Sequence, residues 1–171
     1  MNKVLARWNS LDLAAAAREA LPCCGSLAWA TSLASTRPIE DEGSLIEKSS
    51  SIWLSLPEDA WQEAFDSHPR IGQNHAQVHA TGESLRWSAR EQRAALTKDE
   101  ATKLALEDAN RRYEERFGRI FIVCASGKTS AEILAIVETR MQNDNATELR
   151  EAAEQQRQIT HLRLHRWLES E

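Results

Sequence analysis

The chain has few of the residues that interrupt helices: six glycines and four prolines among 171 residues. With abundant Ala, Leu, Glu, Arg and Gln, that scarcity favours helix throughout. Cysteine is sparse as well. Cys23 and Cys24 are adjacent, Cys124 stands in an apolar run, and no CxxC spacing occurs. This excludes a disulfide framework and a zinc ribbon, and leaves three reduced, small hydrophobic residues. There is no basic run, and the formal net charge of −5 argues against nonspecific nucleic-acid binding. No apolar block from Met1 to Ala20 suffices for a signal sequence or a membrane span, because Arg7, Asp12, Arg18 and Glu19 break it up. The final Leu168-Glu169-Ser170-Glu171 lacks a Ser-Lys-Leu peroxisomal signal. The expectation is a soluble cytoplasmic protein with no nucleic-acid or membrane partner. Repeats, low-complexity tracts and linkers are missing too, so residues 1–171 are expected to form one domain large enough to bury a full core.

What is present reads as an all-α bundle of about eight helices with one short extended segment near 120–125. A first helix is expected from about Asn9 to Leu21 and a second from Ser26 to Ser35, separated by a turn at Pro22-Cys-Cys-Gly25. A third spans roughly Glu40 to Leu54. Pro57 then starts a helix carrying Trp61, Ala64 and Phe65 that ends at His68-Pro69, because the residue before proline is pushed out of helical geometry. His68 is thereby held at a break, where its side chain can point into a pocket. Thr97-x-x-Glu100 predicts a capped helix running to Phe117 with Gly118 as its stop. Thr129-x-x-Glu132 caps another, with Ile133, Ile136, Val137 and Met141 on its buried side. The last runs from about Asn145 to Trp167. The polar stretch Arg70 to Glu83 reads as a mobile loop beside the site.

Three of these helices carry polar residues on faces that should be apolar. At roughly 100° per residue, Leu85, Ser88, Ala89, Gln92 and Leu96 share one face, with Glu91 at its border. Asn110 sits within the stripe Leu106, Ala109, Tyr113 and Phe117. Arg163 sits among Leu149, Ala152, Ala153, Ile159, Thr160, Leu164 and Trp167. Buried polar groups need partners, so Ser88 and Gln92 imply either an internal network or a ligand. Arginine cannot shed its charge, so a buried Arg163 must meet either a protein carboxylate or a bound anion. Ile120-Phe121-Ile122-Val123-Cys124-Ala125 is the one run with strong strand composition and has no obvious partner strand. Its backbone groups would be satisfied by waters and side chains, or by a small molecule bearing amides.

Two histidine pairs, His75/His79 and His161/His165, have the i, i+4 spacing that can bind a metal from one helix face. Neither is followed by a convincing third ligand, and His161 and His165 read as solvated. The six tryptophans occur singly at core spacing and read as packing residues. There is no phosphate-cradling glycine motif.

Taken in order, His68-Pro69, Ser88-x-x-Glu91-Gln92, Asn110-x-x-Tyr113-x-x-Arg116-Phe117-Gly118, Phe121-Ile122-Val123-Cys124, Thr147-Glu148-Leu149 and Leu162-Arg163-Leu164-His165 resemble the 2-oxo-4-hydroxy-4-carboxy-5-ureidoimidazoline (OHCU) decarboxylases. These enzymes follow uricase and hydroxyisourate hydrolase in urate breakdown. The likeness spans nearly the whole chain. It implies His68 as the catalytic residue, with Glu91 orienting or relaying a proton. It implies substrate contacts from Pro69, Ser88, Glu91, Gln92, the backbone of Phe121, Ile122, Val123, Cys124 and Ala125, and the side chain of Arg163. A small ureidoimidazoline substrate, (S)-allantoin and CO2 as products, no cofactor or metal, and a homodimer are implied with them. Many relatives follow the His-Pro with an acidic residue, whereas this chain has Arg70-Ile71-Gly72. Two other classes of function remain open at this point: a non-enzymatic helical interaction module whose inward polar residues form a structural network, and a metal-dependent hydrolase using the histidine pairs.

Overall fold

A computed structural model describes residues 2–72, 81–95 and 99–170. Among these residues the fold is all-α, with nine α-helices, one 3-10 turn and no strand. None of the helices is long and apolar enough to cross a membrane. The chain divides into two compact units, Met1–Ala64 with Arg157–Glu171, and Phe65–Gln156.

In the first unit the helix expected from about Asn9 to Leu21 is α2 (Leu13–Cys24), and a helix that was not expected, α1 (Lys3–Ser10), precedes it. Asn2 accepts from the Val4 and Leu5 amides, Leu11 is extended, and Asp12 restarts the helix by accepting from Ala15 at 2.8 Å. Those caps set the break between the two helices. Pro22 lies inside the last turn of α2 rather than in a connecting turn, because the helix continues to Cys24 before Gly25 reverses it at φ 87°. There proline forfeits only one amide near an end. Ser26 caps α3 (Leu27–Ser35) and Asp41 caps α4 (Glu42–Ser55), its carboxyl held below the usual range by the Ser44 amide and hydroxyl. α5 (Glu58–Asp66) follows Pro57. Trp8, Trp29 and Trp53 are buried here, and their neighbour Trp61 donates its indole N–H to the Trp53 carbonyl at 2.8 Å. Trp8 donates to the Ala16 carbonyl at 2.9 Å and meets Trp167 edge to face at 5.7 Å. These are packing tryptophans, and the indole N–H groups of Trp8, Trp29 and Trp61 each meet a backbone carbonyl.

The second unit contains α6 (Gly82–Glu91), the 3-10 turn Arg93–Ala95, α7 (Glu100–Phe117) and α8 (Ser130–Arg140). α9 (Asn145–Leu168) begins in this unit and ends in the first. Thr97 lies outside the described residues, and Asp99 caps α7 by accepting from the Thr102 amide at 3.2 Å. Gly118 ends α7 in the left-handed region at φ 69°, where a side chain would strain the backbone. The capping box on α8 forms as expected, Thr129 N–H donating to Glu132 at 2.7 Å and Glu132 N–H to the Thr129 hydroxyl at 3.2 Å. Leu106, Ala109, Tyr113 and Phe117 from α7 pack with Phe121, Val123, Ile133 and Val137 to form the core, and Ile136 and Met141 cover it in part.

Arg140 and Glu148 were not expected in that core, yet both are buried and their ion pair has an N–O distance of 2.5 Å. Glu148 also accepts from the Tyr113 hydroxyl at 2.5 Å and from the Asn143 amide at 2.9 Å. Burial first, then the bond to Glu148, pushes the Tyr113 phenol well above its ordinary value. Breaking a buried pair strands the remaining charge, at a cost of about 3–5 kcal/mol, whereas an apolar pair of similar volume is often neutral or better. Arg140→Met should therefore lower the unfolding free energy by about that amount, and adding Glu148→Leu should restore most of it. Denaturant titration of the single and double variants measures both, and an additive double variant would remove the pair from its central place.

Candidate functional site

His68 follows α5 directly, its amide donating to the Phe65 carbonyl at 3.1 Å. Both it and Pro69 are buried, so the proline break does turn the histidine inward. The ring Nε2 lies 2.6 Å from Gln156 Oε1 on α9, and Gln156 has no exposed surface. Arg70 forms a two-pronged pair with Glu114 of α7, at 2.5 and 2.8 Å. The arginine that replaces the acidic residue of many relatives is thereby directed to α7. Gly72 follows at φ 86°, a left-handed turn suited to glycine. Its amide donates to Gln92 Oε1 at 3.0 Å, which ties the chain after His68 to the C-terminal cap of α6.

The buried face of α6 differs from the expected one. Ser84, Ser88 and Glu91 are buried, Gln92 and Ala95 continue that side, Ala89 is exposed and Leu85 is half-buried. The inward face is therefore mainly polar, rotated so that Glu91 lies within it rather than at its border. Leu96 is outside the described residues. Asn110 is buried on α7 as expected.

Ile120 to Ala125 is buried at every residue but forms neither helix nor strand. Several of its backbone groups meet side chains: Cys124 N–H donates to Gln155 Oε1 at 2.9 Å, the Cys124 carbonyl accepts from Lys128 Nζ at 2.7 Å, and the Ile122 carbonyl accepts from Arg140 Nη1 at 2.6 Å. Consecutive residues on α9, Gln155 and Gln156, thus hold the irregular segment and the histidine. Neither glutamine was singled out from the sequence. Gln156 carried the same signal as Arg163, since it sits three residues after Ala153 and four before Thr160, on the same buried face.

Arg163 lies in the first unit, has no exposed surface, and donates to the Pro22 carbonyl at 3.2 Å. Beside it, burial pushes the Cys24 thiol up to about 12, against the opposing pull of the Ser26 amide, the Thr160 hydroxyl and the arginine charge. Such a thiol stays protonated and unreactive at neutral pH. His161 is half-buried rather than solvated, 2.7 Å from the Ser50 hydroxyl, because α4 covers that side of the helix. His165 is exposed and pairs with Glu42 at 2.8 Å, which raises its pKa. His75 and His79 lie outside the described residues. Among the described residues, no three His, Cys, Asp or Glu side chains are grouped to hold a metal. A groove of about 300 Å³ is lined by Arg70, Ile71, Asn110 and charged residues of α7. Of the residues whose inward polarity the sequence singled out, it touches only Asn110.

The sequence profile of the OHCU decarboxylase family matches residues 9–165. The chain is 36% identical over 144 residues to the uric acid degradation bifunctional protein TTL of Arabidopsis thaliana, covering 83% of this chain and 44% of that protein. It is 32% identical over 132 residues to the uric acid degradation bifunctional protein of Bacillus sp. (strain TB-90), covering 75% of this chain and 24% of that protein. The chain therefore spans less than half the length of these curated relatives. Among solved structures it is similar to an OHCU decarboxylase crystallised in the presence of (S)-allantoin, with a TM-score of 0.75 and 32% identity over 88% of this chain and 97% of that one. A fold likeness extends to an (S)-allantoin synthase, with a TM-score of 0.71 and 20% identity over 95% of this chain and 53% of that one.

The Gly72–Gln92 bond gives the geometry around His68 a direct test. Gln92→Ala should expose the Gly72 amide and speed its hydrogen exchange by about two- to tenfold, the equivalent of one neutral hydrogen bond. Amides in the middle of α7 should be unchanged. Unaltered exchange at Gly72 would mean that the bond does not hold the turn.

Proposed function

Because this chain belongs to the OHCU decarboxylase family, we propose that it converts 2-oxo-4-hydroxy-4-carboxy-5-ureidoimidazoline to (S)-allantoin and CO2, the third step of urate breakdown. The observation that carries the reading is the buried histidine after α5, hydrogen-bonded through Nε2 to Gln156, in a chain whose α6 turns a polar face inward in the order the family uses. A structural network alone does not call for an imidazole, which exchanges protons near neutral pH.

The chemistry makes modest demands. When CO2 departs, its bonding electron pair forms a C=C bond to the neighbouring ring carbon and displaces the C=N π pair onto the ring nitrogen, which takes one proton from solvent. The hydroxyl on the carbon that lost CO2 then gives up its proton as its O–H pair becomes a C=O bond, and the C=C pair so displaced takes up a proton at the neighbouring carbon. The electron sink belongs to the substrate, so the reaction is proposed to run without a cofactor. His68 takes the hydroxyl proton, acting as a general base. Glu91 orients or relays the proton delivered to the neighbouring carbon and so sets the (S) configuration. Pro69, Ser88, Gln92 and the backbone of Phe121 to Ala125 are the proposed contacts to the ureido and ring atoms. Arg163 enters as a further proposed contact, on the family resemblance and on its fixed positive charge. The same reading takes the protein as a cytoplasmic homodimer forming one domain per chain.

Purified protein supplied with freshly generated substrate tests the reaction. Faster CO2 release yielding allantoin of one hand, unaffected by chelator, is the expected result. Racemic allantoin at the uncatalysed rate would leave the interaction-module reading standing, and activity restored only by added zinc would favour the hydrolase-type site.

His68→Asn should keep the fold and the affinity for allantoin while turnover falls by about 10²- to 10⁴-fold, the usual contribution of a general acid–base group. Near-normal turnover in the folded variant would remove His68 from the chemistry. Loss of a charged donor to a ligand costs about 1.5–3 kcal/mol, so Arg163→Met should weaken allantoin binding roughly ten- to hundredfold. Calorimetry that found normal binding in a variant melting several degrees earlier would make Arg163 a structural residue.

A further inference from the structure

We propose that Gln156 is the positioning residue that holds His68 in its Nε2–H tautomer, so that Nδ1 is the atom that takes the substrate proton. The inference rests on the decarboxylase reading for the proton's destination, and on geometry alone for the tautomer. A carbonyl oxygen of a side-chain amide only accepts hydrogen bonds. At 2.6 Å from Gln156 Oε1, the Nε2 of His68 must therefore be the donor. A neutral imidazole has one N–H, which leaves the lone pair on Nδ1.

The amide is well placed to hold that choice. Gln156 is fully buried on α9, where the apolar residues Ala152, Ala153 and Ile159 are buried along the same helix. Its neighbour Gln155 is fixed at both ends of its amide, accepting from the Cys124 N–H at 2.9 Å and donating to Glu151 at 2.9 Å. The stretch of helix that carries Gln156 is thus tied to the irregular segment Ile120–Ala125 as well as to His68. Both partners are shielded from solvent, the histidine 6% exposed and the glutamine 0%.

Glutamine also differs from the carboxylate that commonly orients a catalytic histidine. An anion behind the ring stabilises the imidazolium and raises its pKa. A neutral amide orients the ring without adding that charge. In the proposed step the hydroxyl proton moves to Nδ1 and the O–H pair becomes the C=O bond. The imidazolium formed keeps its Nε2–H on Gln156 and later passes the Nδ1 proton on.

Two-bond proton–nitrogen correlation spectra of protein labelled with ¹⁵N-histidine read the tautomer without any turnover. The wild type should show a protonated Nε2 and an unprotonated Nδ1 on His68 above its pKa. Gln156→Leu should give a mixture of tautomers and lower kcat by about tenfold or more, with KM little changed. Gln156→Glu keeps an acceptor at the same place, so it should retain more activity than the leucine variant. Its charge should move the acid limb of the pH–rate profile to higher pH, because the imidazolium must lose its proton before the ring can act. An active wild type with the Nδ1–H tautomer overturns the inference alone, as does a folded Gln156→Leu variant with wild-type tautomer and kcat. A wild type with the Nε2–H tautomer and no turnover overturns the decarboxylase reading instead.

Discussion

The fully buried carboxylate of Glu148 is the constraint around which the second unit is organised. It stands in the first turn of α9 and gathers the guanidinium of Arg140 from the end of α8, the hydroxyl of Tyr113 from α7 and the amide of Asn143 from the connecting loop. An unpaired carboxylate in that position would be untenable, so each partner must be in place for the unit to close. Arg140 does more than neutralise it. The same guanidinium lies 4.5 Å from the Phe121 ring and donates to the Ile122 carbonyl. A chain segment without secondary structure is thereby pinned by a charge pair that joins α8 to α9.

That pinning explains why Ile120 to Ala125 can be buried without being a strand. Its side chains read as β, and Phe121, Val123 and Ala125 face the core formed with α7 and α8. Its backbone finds Arg140, Gln155 and Lys128 in place of a neighbouring strand. A buried irregular backbone is held when side chains of this kind meet its polar groups, and a fixed backbone is what the substrate contacts proposed for this segment would require.

The candidate site was readable in outline. His68 is marked by the proline after it, and Ser88, Glu91 and Asn110 by their place on inward helix faces; all are buried. The helical period placed Glu91 at a border and Ala89 inside, and the structure reverses the two. On a helix as short as α6, with few large apolar residues, the periodicity constrains the rotation only weakly. Gln155 went unread because a half-buried glutamine on a long helix resembles a solvated residue until the element it faces is known, whereas Gln156 was marked by its buried face but its partner was not.

By itself, the sequence determined what depends on contacts within a few residues. Scarce glycine and proline made the chain helical, Thr129 with Glu132 and Gly118 set helix ends, and Pro69 broke the helix beside His68. Caps and steric clashes act over one turn, and their chemistry is visible in the order of residues. Only the tertiary structure decided which buried polar groups meet. Gln156 reaches His68 across 88 residues, and Glu148 reaches Tyr113 across 35. Those pairings follow from how α9 packs within the second unit, and a buried polar residue declares that it needs a partner without declaring which one.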